Sequence, residues 1–218
     1  MALVLQLLVV GVSVGAIYAL IALGYTMVYG IIELINFAHG DIFMIGTLVA
    51  IAIFGVLGVT NSSVPPTGVS LIVIMGVTLL LTMLICAVLG VVIERIAYRP
   101  LRNAPRLAPL ISAIGVSLIL EDLGKLWKGP TTVPFPQIFP SATYHIGPIT
   151  INSIYIFVII VAVILMAALQ WFITSTRIGR AMRAVAQDRE AAALMGVNVD
   201  LIISVTFFIG AALAGAAG

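Results

Sequence analysis

The chain has 218 residues, 62% of them hydrophobic and 8% charged, with a formal net charge of +2 and one cysteine. A soluble domain carries about a quarter charged residues, so this composition excludes one and describes an integral membrane protein. The arginines gather at the ends of apolar runs instead of on one basic face, which excludes a nucleic-acid partner. Cys86 stands alone, which excludes an internal disulfide, and within LLLTMLICAVLG it is expected to be a small buried packing residue.

In chain order, residues 3–29 contain no charge and suffice to cross a bilayer at some tilt. With no basic stretch before them and too great a length, they are not a signal peptide. Gly11, Gly15, Ala19 and Ala22 recur at steps of four, four and three, a small-residue face on which a second helix is expected to pack.

Residues 30–41, GIIELINFAHGD, are the chemically richest segment: Glu33, Asn36, His39 and Asp41 crowd between two apolar runs. An acidic side chain at the bilayer centre costs roughly 2.5–3.5 kcal/mol, whereas a Leu or Ile returns about 0.3–0.6. The segment is therefore expected away from lipid, as a hairpin at the membrane end or as a broken helix lining a wet cavity. Asn36 and His39 share a face if helical, and Gly40 is expected to end the turn. Three readings stand side by side. One is a metal or acid/base site of an intramembrane enzyme, for which no second His or Cys has ligand spacing and His145 lies in a Pro-rich loop. The second is a hydrogen-bonded hairpin cap, and the third is a wall of a translocation path.

A second span covers 42–59, and the uncharged, Pro-containing stretch 60–68 reads as a turn. A third span, 69–93, leads into ERIAYRPLRNAPR, a basic cluster of Arg95, Arg99, Arg102 and Arg106. The fourth, 107–127, ends with Glu121 and Lys125 spaced to pair on one helix face. Residues 128–152 hold five prolines and read as an irregular extramembrane loop whose β-branched tail, HIGPITINSI, suits a short strand or hairpin. The fifth span is 151–173. The sixth, 201–218, carries Gly210, Ala214 and Gly218 at four-residue spacing, a second close-packing face.

Between the last two spans lies a polar, Ala-rich island, TRIGRAMRAVAQDREAAALMGVNVD, with Arg177, Arg180, Arg183 and Arg189. Ile178, Met182 and Val185 give its first half the spacing of an amphipathic helix lying along the membrane. Asp188 suits the cap of a second short helix, Glu190 its first turn and Gly196 its stop. Placing both arginine clusters in the cytoplasm is self-consistent with six spans: residues 60–68, 128–152 and the N-terminus fall outside, and only Lys125 and Lys128 dissent. The fold class expected is an all-α, polytopic membrane protein forming one permease domain.

Two stretches carry a resemblance. Glu190-Ala191-Ala192, three residues and then Gly196 resemble the EAA signature of bacterial ABC-importer permeases, although the Ile and Leu-Pro pair of the wider signature are absent from 201–218. YGIIELINFAHGD resembles the N-terminal motif of the branched-chain amino acid permeases of that class. The resemblance implies that Arg183, Glu190, Ala191, Ala192 and Gly196 form a coupling element in a cleft of a separate ATPase. It also implies that Glu33, Asn36, His39, Gly40 and Asp41 belong to the region lining the translocation path. A second permease subunit, two cytoplasmic ATPases and an extracytoplasmic binding protein are the implied partners in a bacterial inner membrane. ATP and magnesium then belong to those ATPases. This chain shows no P-loop, since its Gly124-Lys125 pair is followed by Leu126 and lacks the upstream glycine. Relative to the resembled permeases the chain looks short of C-terminal spans.

The function expected is thus transport, without catalytic or metal-binding residues: ATP-driven import of leucine, isoleucine and valine. A urea or short-amide permease of the same class is the near alternative. An ion-coupled transporter or channel using Glu33, His39 and Asp41 is the distant one, and an intramembrane enzyme ranks last.

Overall fold

The computed structural model describes every residue except 1, 60–65, 67, 103, 106, 137–142 and 147–148, and at 2, 143–146 and 149–151 the backbone alone. Arg106, Pro140, Pro148, the His145 side chain and most of the expected 60–68 turn lie outside the described residues. Among the described residues six helices are long and apolar enough to cross a membrane: Leu3–Ile32, His39–Val56, Val69–Leu101, Leu107–Lys128, Ser153–Ser175 and Val199–Ala217. They correspond to α1 (Ala2–Ile32), α2 (His39–Val56), α3 (Val69–Ile93) with its extension, α4 (Leu107–Lys128), α5 (Ser153–Ser175) and α8 (Val199–Ala217). Between α5 and α8 lie the short helices α6 (Arg177–Gln187) and α7 (Arg189–Leu194). Spans apolar on every side suit a lipid surround.

One hairpin accompanies the helices among the described residues. β1 (Thr143–Ile146) pairs antiparallel with β2 (Ile149–Asn152), Ile146 opposite Ile149, where the β-branched tail suggested it. Asn152 then caps α5, its side-chain oxygen accepting from the Ile154 N–H at 3.2 Å.

The core is organised around α8. Fifty-six per cent of its span is buried, against 11–33% for the other five, because α1, α2 and α3 all pack on it. Close approach of small residues makes this possible, since apolar side chains gain little by leaving lipid for one another. A Cβ on Gly24 of α1 would lie 2.7 Å from the Gly210 carbonyl oxygen, and one on Gly215 would lie 2.7 Å from the Cys86 Cβ. Gly210, Ala214 and Gly218 thus form a packing face, as their spacing suggested, and Cys86 is fully buried.

The face expected on α1 is a correction. Gly11 and Gly15 are exposed with nothing within 4 Å of an added Cβ. The buried stripe is instead Leu20, Gly24, Val28 and Ile31. Ala19 precedes Leu20 by one residue, about 100° around a helix of 3.6 residues per turn, so small-residue spacing alone chose the neighbouring face.

Beyond Ile93, α3 does not stop. It continues through a π-helical turn, Glu94–Tyr98, and a 3-10 turn, Arg99–Leu101. Pro100 supplies the local reason for a change of winding: its ring lacks an N–H and clashes with the carbonyl four residues back. The widened turn directs Glu94, Ala97 and Tyr98 inward.

Candidate functional site

α1 ends at Ile32 and α2 begins at His39, joined by a non-helical connection, residues 33–38. Glu33 starts it with φ 58°, a left-handed conformation uncommon for a residue with a side chain. Of the two geometries expected for this segment, the chain adopts a break at the end of the bundle, beside the arginine-bearing extension of α3 and the arginine-bearing helices α6 and α7. Gly40 does not end the turn. The His39 N–H already bonds the Asn36 carbonyl at 3.2 Å, so Gly40 and Asp41 fall in the first turn of α2, where Asp41 suits the positive helix end.

Asn36 and His39 do not face a channel within this chain. They are 2% and 1% exposed. The Tyr98 hydroxyl donates to Asn36 Oδ1 at 2.9 Å, and Tyr98 packs in turn on Phe207 of α8 with ring centroids 5.2 Å apart. His39 Nε2 lies 3.2 Å from the Ile21 carbonyl and its ring meets Tyr25 edge-on at 5.8 Å. The two polar side chains therefore pin the connection to α3 and α1. Asp41 is half-buried and accepts from the Ser117 hydroxyl of α4, while Glu33 and Gly40 are exposed. Among the described residues no three His, Cys, Asp or Glu side chains gather where a metal ion would fit.

The polar island folds as a helix–turn–helix. Thr176 makes its first corner, donating to the Phe172 carbonyl at 2.7 Å and accepting from the Gly179 N–H at 3.0 Å. Met182 and Val185 are buried as the amphipathic spacing required, but Ile178 is 41% exposed and Gly179 takes the inner position. Asp188 caps α7 by accepting from the Glu190 and Ala191 N–H groups at 2.9 and 3.0 Å. Gly196, at φ 84°, provides the left-handed turn that ends it.

On α7, Glu190 and Ala191 face out, as does Gly196, whereas Ala192 is buried. Leu194 and Met195 at its tip are 89% and 85% exposed. Arg183 is exposed and donates to the Ile173 carbonyl, bracing the corner between α5 and α6. Arg189 grips the Ile31 carbonyl at the end of α1, Nη2 at 2.6 Å and Nε at 3.2 Å. A cleft of about 310 Å³, lined by Ile31, Glu33, Val185, Asp188, Arg189 and Glu190, separates the two motifs. The structure thus brings together two stretches about 150 residues apart in sequence.

Beneath them lies a network that sequence reasoning missed. Glu94, fully buried, accepts from Arg102 and, at 2.7 Å, from the Ser204 hydroxyl of α8. Arg102 also pairs with Asp200, which Arg99 reaches at 2.8 Å. A lone acid at the end of an apolar run signals that a partner exists. Nothing in the local spacing names residues about a hundred positions away. At the opposite end of α4, Lys125 meets Glu121 at 2.7 Å, as their spacing suggested.

Residues 7–218 match the family described as the branched-chain amino acid transport system permease component. The chain is 42% identical to the high-affinity branched-chain amino acid transport system permease protein LivH of Salmonella typhimurium, covering 98% of this chain and 69% of that protein. LivH of Escherichia coli, 42% identical, and BraD of Pseudomonas aeruginosa, 41%, are covered to the same extent. No solved structure matches. With six spans and these relatives, the chain belongs to the permease-component family of branched-chain amino acid transport systems.

Proposed function

We propose that this protein is the multi-pass inner-membrane permease of an ATP-driven importer for leucine, isoleucine and valine. The observation that carries the reading is α7: a short, capped helix whose apolar tip, Leu194 and Met195, projects without cover while its base is held by Arg189 on the end of α1. Leu194 and Met195 stand outside every span, where lipid does not cover them, and a partner protein suits an apolar tip so placed. A cytoplasmic ATPase subunit is its partner, with Glu190 meeting a basic residue and Ala191 allowing close approach. A second permease subunit, a second ATPase and an extracytoplasmic binding protein complete the assembly, and ATP and magnesium are held by the ATPases. The connection 33–38 borders the inner end of the path, with Glu33, Gly40 and Asp41 towards it and Asn36 and His39 holding its shape.

The test is co-purification of the detergent-solubilised complex, comparing wild type with Glu190→Arg and Gly196→Asp at equal expression, followed by leucine uptake in proteoliposomes. A P-loop ATPase retained by wild type and lost from both variants, with leucine uptake lost in parallel, is the expected result. Retention of the ATPase by both variants removes α7 from the interface. Failure of leucine to be taken up by the wild-type complex removes the substrate assignment.

A further inference from the structure

Both lysines of the chain, Lys125 and Lys128, stand against the charge rule that places its arginines inside. With Glu121 and Asp122 they are the only charged residues in the sequence outside 33–41, 94–106 and 177–200. They occupy the last two turns of α4. The side chains of Glu121, Asp122 and Lys125 are 47%, 73% and 50% exposed, and Lys125 joins the two carboxylates at 2.7 and 3.5 Å.

α4 does not carry these charges clear of the membrane. It runs outward beside α2, and its contacts fix their relative height. The Ser112 hydroxyl donates to the Ala97 carbonyl of the π-helical turn at 3.1 Å, and the Ser117 hydroxyl donates to Asp41. Further along, a Cβ on Gly124 would lie 3.1 Å from Met44 Cε and 3.4 Å from Leu48 Cδ1. Met44 and Leu48 precede Val56, the outer end of α2, by twelve and eight residues, which is about 18 and 12 Å at a rise of about 1.5 Å per residue. The hydrocarbon core is about 30 Å thick, so Glu121, Asp122 and Lys125, around Gly124, lie near its middle. The chain that follows is irregular at membrane depth as well. Residues 129–135 form neither helix nor strand, and Phe135 has risen only to Phe54, which it meets edge-on at 5.7 Å. Open charges are costly against lipid, and lipid-exposed irregular backbone does not occur within hydrocarbon. Both are tolerated where the chain lines a water-filled cavity.

An α-amino acid carries an ammonium and a carboxylate one carbon apart, and a single turn of α4 presents the charges complementary to both. Leu118 and Leu126, four residues before and after Asp122 and exposed as it is, add an apolar strip for an aliphatic side chain. We propose that this face of α4 lines the translocation path near mid-depth and meets the head group of the cargo, Glu121 and Asp122 taking the ammonium and Lys125 the carboxylate. The inference rests on the branched-chain reading above and adds where, within this chain, the cargo's charges are met.

The complete transporter, with its ATPases and binding protein in proteoliposomes, provides the test. Because the binding protein sets affinity, the first readout is leucine transported per ATP at saturating loaded binding protein. Glu121→Gln with Lys125→Gln removes both charges of the pair and keeps the side-chain length. An exposed ion pair with a purely structural role is worth little, so that role predicts transport at the wild-type level. Loss of hydrogen bonds to a charged head group is expected instead to lower transport per ATP roughly tenfold or more, with the ATPase still co-purifying. The second readout is water. Leu118→Cys is treated during turnover with a charged, membrane-impermeant methanethiosulfonate, and the modified peptide of this chain is read by mass spectrometry. The thiolate is the reactive form, so a cysteine facing lipid stays unmodified, as does the buried Cys86, whereas one facing the path is expected to be modified. An unmodified Leu118→Cys, or wild-type transport per ATP in the double variant, overturns the head-group site and leaves the importer reading intact. A wild-type complex that carries no leucine overturns the branched-chain reading and the amino-acid assignment with it.

Discussion

Arg102→Ala isolates the buried half of the ion network from its exposed half. Arg102 bridges two carboxylates in different surroundings: Glu94, with no exposed side chain, and Asp200, half exposed. Removing the guanidinium strands a buried charge, which costs about 3–5 kcal/mol. Arg99 also pairs with Asp200, but both of those side chains are about half exposed, and such a pair is worth about 0–1 kcal/mol. For a chain of this size about 1 kcal/mol moves the melting temperature roughly 2–4 °C. Arg102→Ala is therefore expected to fall by roughly 6–20 °C, and Arg99→Ala by less than about 4 °C. Cys86 provides the assay, because it is the chain's one cysteine and fully buried: a thiol-reactive fluorescent maleimide reports its exposure as the protein is heated in detergent. The double variant Glu94→Met with Arg102→Met removes both buried charges and is expected to regain most of the loss, since replacing a buried ion pair by apolar residues is often neutral. Equal melting temperatures for Arg102→Ala and Arg99→Ala would refute the reasoning, because burial would then not decide the worth of these pairs.

Two further outcomes follow from the packing. Gly24→Ala puts a methyl against the Gly210 carbonyl and is expected to destabilise by about 1–3 kcal/mol as an overpacked core position; Gly11→Ala, in open space, is expected to leave the melting temperature unchanged. Arg189→Gln is expected to keep the ATPase bound yet lower leucine uptake per ATP, because α7 loses its grip on the Ile31 carbonyl while its exposed face is untouched; unchanged coupling in that variant would show that α7 does not act through the end of α1.

The sequence by itself determined the class, the number of spans and the local design of the polar island. Charge-free runs must become helices in lipid, where every backbone polar group has to be satisfied within the segment. Asp188 and Gly196 act on neighbours within a few residues, so their roles as cap and stop were legible in Asp188-Arg189-Glu190 and in the lone glycine after Met195. The hairpin at Thr143–Asn152 was legible for the same reason.

What only the tertiary structure decided is which residues meet across those segments. Gly11 and Gly24 are alike in local sequence terms, and the crossing with Gly210 alone separates them. Asn36 and His39 were expected in the region lining a translocation path, and only the tertiary structure shows that Tyr98 and the Ile21 carbonyl are their partners within this chain. Glu94 finds Arg102, Ser204 and, through Arg102, Asp200 because a π-turn rotates it inward and α8 returns beside it. In a chain this apolar, hydrophobicity fixes that a helix spans but not which face it turns to its neighbours. That choice is made by close contact at small residues and by the few polar groups that have to find one another.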